Sequence, residues 1–75
     1  MKIYKIFEIK GIYPDKIAEI YNDRDLIVFL KDYANISIDY RALRDFFRRH
    51  NNQMFIKLED GIDLEVVLSY SRKYC

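Results

Sequence analysis

Cysteine, histidine, glycine and proline are nearly missing from this chain, which has one Cys, one His, two Gly and one Pro in 75 residues. Each shortage excludes something. Cys75 has no partner within the chain, so no intramolecular disulfide staples the fold and an oxidising compartment is not required. His50 and Cys75 are too few ligands for a zinc site. A Cys–His or Ser–His–Asp set would have to be built on His50, beside Arg48 and Arg49, so the expectation is no enzyme and no cofactor. Gly11 and Gly61 stand far apart, which leaves no phosphate-cradling loop and no RNA-recognition strand motif, where a glycine sits between basic and aromatic residues. The longest unbroken apolar run, Leu26 to Leu30, falls far short of the ~20 residues that cross a bilayer. Lys2, Lys5, Glu8 and Lys10 interrupt the stretch where a signal-peptide core would lie. The chain is expected to be soluble and cytoplasmic, with no membrane partner, no small-molecule substrate, no internal repeat and no low-complexity segment.

Apolar side chains are plentiful. Hydrophobic residues make up 51% of the chain, seven tyrosines and five phenylalanines among them, which is ample to offset ordering entropy. A single domain is expected, near the lower size limit, burying roughly 60% of the extended chain's surface. Its stability is expected to be modest or shared with a second subunit.

The clearest stretch is Gln53 to Tyr70. Ile62, Leu64, Val66, Leu68 and Tyr70 alternate with polar positions, the mark of a strand with one buried face. Register fixes the preceding turn. A two-residue Asp60-Gly61 loop would set Lys57 opposite Leu64 and strand Met54, Ile56 and Leu58 on the wrong face. A three-residue Glu59-Asp60-Gly61 loop, with Gly61 left-handed, pairs Leu58 with Ile62, Ile56 with Leu64 and Met54 with Val66.

Residues 2 to 10 alternate imperfectly: Ile3, Phe7 and Ile9 share a face with Lys5, and Tyr4 and Ile6 share the other with Lys2, Glu8 and Lys10. The composition favours a strand, and its lysines suggest a guarded, partly exposed edge. Over residues 14 to 21, Pro14 with Ile17, Ile20 and Tyr21 reads first as a short helix. A strand over 16 to 21, closing an N-terminal hairpin, is the alternative. The apolar phase shifts at Asn22-Asp23, either of which can cap a new helix with a stripe of Leu26, Phe29, Leu30 and Tyr33, ending near Ala34-Asn35. Asp39 caps the next helix, whose inward side carries Leu43, Phe46, Phe47 and His50 and whose outward side carries Arg41, Arg44, Asp45 and Arg48; Asn51-Asn52 stops it. The fold class that follows is α+β: a small antiparallel sheet of the N-terminal strand plus the C-terminal hairpin 53–70, packed on one face against two or three helices. Residues 62 to 70 form the central strand, with 2 to 10 beside it.

The net charge is only +1, yet it is unevenly spread. Arg41, Arg44, Arg48 and Arg49 crowd one helix, while Glu59, Asp60, Asp63 and Glu65 crowd the hairpin. Those carboxylates straddle a tight turn and lack the spacing of a calcium loop, so no metal is expected. Arg41, Arg44 and Arg48 lie three and four apart and form one ridge, with Arg49 on its flank. Their planar forks match phosphate or carboxylate, which makes the four arginines the candidate site for a partner or for a nucleic-acid backbone. The plainer reading of the same residues is a solvated helix face whose last turn suits the helix dipole.

Two functions are expected from this set. The first is a small non-enzymatic regulatory or inhibitory protein that binds another protein and forms a homodimer. The second is a nucleic-acid-binding regulator, for RNA or DNA backbone, that uses the arginine face. The bias toward Ile, Lys, Tyr, Asn and Asp is what an AT-rich genome encodes, and in a phage or viral setting the first reading becomes a host-directed or anti-defence factor.

Overall fold

Gly61 holds a φ of +73°, the left-handed region that a three-residue hairpin loop demands of its last position. The pairing beside it follows that choice. Met54 stands opposite Val66 and Ile56 opposite Leu64, and the Leu58 amide donates to the Ile62 carbonyl at 2.9 Å. The computed structural model describes residues 1–58 and 61–70, so Glu59 and Asp60, the rest of the expected loop, lie outside the described residues, as does the tail from Ser71 to Cys75.

Six elements follow in order: β1 (Lys2–Lys10), β2 (Tyr13–Ile20), α1 (Asp23–Ala34), α2 (Tyr40–Arg49), β3 (Gln53–Lys57) and β4 (Ile62–Tyr70). The four strands form one sheet in the order β2-β1-β4-β3, with every neighbouring pair antiparallel. Two local hairpins are thus joined side by side through β1 and β4, and both helices cover the same face. The fold is α+β with a central 62–70 strand, as the alternation implied.

Two expectations are corrected. Residues 14–20 are strand rather than helix, because β2 pairs with β1 along its length, and Tyr21 follows it outside the strand. Ile17 has no opposite number there, since Ile6 faces Ala18 and Phe7 faces Lys16, and this β-bulge breaks the two-residue period and imitates helical spacing. Pro14 is tolerated because β2 is an edge strand with only one neighbour. The second correction concerns residues 2–10. They are bonded on both sides, to β2 and to β4, so the guarded edge belongs to other strands.

Both helices start on their expected caps. Asn22 Oδ1 accepts from the Asp25 amide and Asp39 Oδ1 from the Ala42 amide, each at 2.8 Å. Left-handed asparagines then end them: Asn35 after α1, and Asn51 and Asn52 in tandem after α2. The Asn52 amide reaches back to the Phe47 carbonyl, and the Asn52 carbonyl accepts from Leu68 in β4, both at 2.8 Å. That loop therefore fixes α2 to the sheet.

The core is made where Leu26 and Leu30 of α1 and Leu43 and Phe47 of α2 meet the sheet face of Tyr4, Ile6, Leu64 and Val66. Two members of the expected helix stripes are displaced from it. Tyr33 is 44% exposed, its ring stacked on Phe29 and its hydroxyl donating to Glu8 at 2.6 Å. His50 is exposed, lying flat on Phe46 with a ring-centroid distance of 4.0 Å. Both sit a turn beyond the helix–sheet contact, where the stripe has run off the sheet.

Phe47→Ala removes a fully packed ring and is expected to cost about 3–5 kcal/mol in urea unfolding, most of what so small a domain has. Gly61→Ala forces a Cβ into left-handed backbone and is expected to cost about 1–2 kcal/mol by the same measurement.

Candidate binding surfaces

Arginine is the most polar and most strongly charged component of α2, and Leu43 and Phe47 dictate where it points. With both buried and the Phe47 ring against Tyr4, another face of α2 turns toward the end of the sheet where β1 begins and β4 finishes. Arg41, Arg44 and Arg48 come together there as one wall of a cleft of about 670 Å³. Arg49 does not line it. The opposite wall is the paired ends of β1 and β4, where Lys2 stands across from Tyr70 and Tyr4 across from Leu68. Tyr40, from the first turn of α2, and Asn52 complete the rim.

The floor rests on a buried acid. Asp23 opens α1, is 8% exposed, and accepts hydrogen bonds from the Tyr4 hydroxyl and from Lys2 Nζ, the latter at 3.1 and 3.3 Å. Burial raises the Asp23 pKa, but the bonds from Tyr4 and Lys2, the Lys2 charge and Tyr40 lower it by more, leaving the carboxyl below its ordinary value. The same burial, together with the neighbouring carboxylate, pushes the Tyr4 hydroxyl far above the tyrosine range. Asp23 is therefore a permanent anion and Tyr4 a permanent donor near neutral pH.

The cations of the cleft differ in what they already hold. Lys2 is committed to Asp23, and Arg48 to Asp45 at 2.6 Å. Among the described residues, Arg41 and Arg44 form no ion pair; the Arg44 guanidinium lies over the Tyr40 ring, 5.5 Å from its centroid. Four cations face one carboxylate on the lining, or two counting Asp23 beneath. The cleft is thus positive, with Arg41 and Arg44 ready to take an anion.

A second surface lies on the far side of the sheet, which neither helix covers. Rows read across the strands show what it presents. Lys16, Phe7, Glu65 and Phe55 stand in one row, with Glu19, Lys5, Val67 and Gln53 in the next and Pro14, Ile9, Asp63 and Lys57 in the one beyond. Phe55 is 62% exposed at its edge. Charges of both signs alternate with apolar side chains over the whole face.

Of the four arginines expected as one solvent-side ridge, Arg41, Arg44 and Arg48 line the cleft and Arg49 does not. Lys2, Tyr4, Tyr70 and Asp23 are not among the residues that the sequence pattern singles out as a site. The signal for Asp23 was present: it precedes Leu26 and Leu30 by three and seven residues, so it shares their buried stripe. Among the described residues no group of three or more His, Cys, Asp or Glu side chains is placed to hold a metal ion, and no helix is long and apolar enough to cross a membrane.

Asp23→Asn is expected to lower stability at pH 7 by about 1.5–3 kcal/mol, the worth of hydrogen bonds to a charged group. Because the folded-state pKa is depressed, the stabilisation from ionised Asp23 is full above the unfolded value of about 3.9 and is lost as the pH falls through the folded value. Urea titrations at a series of pH values should therefore show the gap between wild type and variant closing below about pH 4.

No protein-family model, no curated protein and no solved structure matches this chain.

Proposed function

We propose that this chain is a small non-enzymatic regulatory or inhibitory protein that acts by docking another protein on the bare face of its sheet, and that the first such partner is a second copy of itself. The observation that carries this reading is the row of Phe7 and Phe55 flanking Glu65 on a sheet face that the helices leave open. Such a face is costly to keep in water, since Ile3, Phe7, Ile9, Phe55 and Val67 all stand on it. Against a second sheet, about 10 Å away, those side chains interdigitate as the two inner faces of a sandwich do.

Charge supports self-docking. Asp63 and Glu65 lie along one strand, with Lys5 on one side of it and Lys57 on the other. A face that carries both signs in this way can present to its copy the opposite charges that the copy requires. A small core also gains most from association, because the sheet then has two covered faces instead of one.

The reading without catalysis rests on His50. Its Nδ1 lies 2.9 Å from the Phe46 carbonyl and its ring is stacked on Phe46, so it meets neither a nucleophile nor an orienting carboxylate among the described residues.

Light scattering coupled to size exclusion tests the reading. Wild type is expected as a dimer whose mass does not change between low and high salt, and Phe55→Lys as a monomer. Because Phe55 is exposed, that substitution should leave monomer stability within about 0.5 kcal/mol. A wild type that stays monomeric at high protein concentration, with Phe55→Lys indistinguishable from it, would remove the self-docking half of the proposal.

A further inference from the structure

The sheet face leaves the cleft of α2 unexplained, and the cleft has a chemistry of its own. We infer that it binds a single strand of nucleic acid, with backbone phosphates on Arg41 and Arg44 and a base stacked against the tyrosines at its mouth. The inference is independent of the docking of proteins on the sheet.

Three features select this ligand. The first is that the cations are not equal. Arg48 and Lys2 are bound to Asp45 and Asp23, whereas Arg41 and Arg44 meet no carboxylate among the described residues. Three residues apart on one helix, they stand roughly 5–6 Å from each other at Cβ, and each offers a fork of donors that grips a phosphate through two parallel bonds. The second feature is aromatic. Tyr40 and Tyr70 are 52% and 66% exposed at the cleft, and the guanidinium over Tyr40 already shows that ring presenting a face to a flat cation. Exposed rings beside arginines are what unpaired bases stack upon. The third is shape. The arginines line a concavity rather than a ridge, so a strand can enter while the convex flank of a duplex would touch only the rim.

Asn52 adds a neutral contact. Its backbone amide and carbonyl are used by Phe47 and Leu68, while its carboxamide bonds no described residue and lies on the rim, where a base edge would come. The floor is closed to further anions, because Asp23 sits beneath Tyr4 and would repel a phosphate pushed deeper. Phosphate at the arginines and base at the tyrosines is therefore the orientation that the charges allow. An acidic peptide would satisfy the arginines equally but would leave the exposed Tyr70 ring with nothing stacked on it.

The test is fluorescence anisotropy with a labelled oligodeoxythymidylate of about twelve nucleotides, within the span that small single-strand binders cover. Two phosphate contacts predict a log–log salt slope near about −1.4. Arg41→Ala with Arg44→Ala is expected to weaken binding at least about tenfold and to flatten that slope. Tyr70→Ala should weaken it between about five- and about 150-fold with the slope unchanged, and Tyr70→Phe should bind as wild type does. All three positions are exposed at the surface, and an unchanged urea midpoint confirms that the variants fold. Competition separates the ligands: an unlabelled strand should displace the probe, a duplex of the same sequence and a mononucleotide should do so poorly, and polyglutamate should not. No binding at low salt, binding insensitive to the arginine pair, equal loss for Tyr70→Ala and Tyr70→Phe, or displacement by polyglutamate as effective as by the strand would each overturn the inference.

Discussion

The carboxylate of Asp23 is the constraint on which the rest of the molecule depends. It joins the first strand, through Lys2 and Tyr4, to the first turn of α1, and it does so inside the hydrophobic layer, where an unpaired charge would be costly. Once Tyr4 is held by its hydroxyl, its ring is fixed against Phe47, 5.3 Å between centroids, and that contact sets the roll of α2 about its axis. The roll in turn decides which residues of α2 face the end of the sheet. The charge balance of the cleft has the same origin, because Lys2 leans on Asp23 and leaves the excess positive charge to the arginines of α2.

The two sides of the sheet divide the work of the chain. One side is sealed by helices and holds the core; the other keeps an alternation of charge and ring that needs a partner to be dry. The cleft opens at the strand ends on the helical side, so a copy seated on the bare face leaves it accessible. The proposed docking and the inferred strand binding would therefore not compete for the same atoms, and a dimer would carry two clefts facing outward.

How much of this could be read in advance follows from the physics of each segment. The C-terminal hairpin was legible down to its register, because a period of two combined with one glycine leaves a single loop length that puts Met54, Ile56, Leu64 and Val66 on one face. The helix caps were legible because Asn22 and Asp39 act within three residues of themselves. The strand from Tyr13 was not, since the bulge at Ile17 destroys the alternation that marks a strand and leaves the three- and four-residue spacing that marks a helix. The cleft was only half legible. Its arginines lie close together in sequence, but its other wall exists because Lys2 pairs with Tyr70, and no local pattern announces a contact between opposite ends of a chain.

That pairing of first and last strands bears on how the protein comes into being on the ribosome. The β1–β2 hairpin emerges early, yet β1 borrows its second neighbour from β4, some sixty residues later. At the usual elongation rate of about 5–20 residues per second, β4 follows β1 by about 3–12 s, and until then β1 has only β2 to pair with. The nascent hairpin waits with one long strand edge unpaired. Closure of the sheet therefore waits on the synthesis of β4, and until then the open edge of β1 can meet a strand from a neighbouring chain.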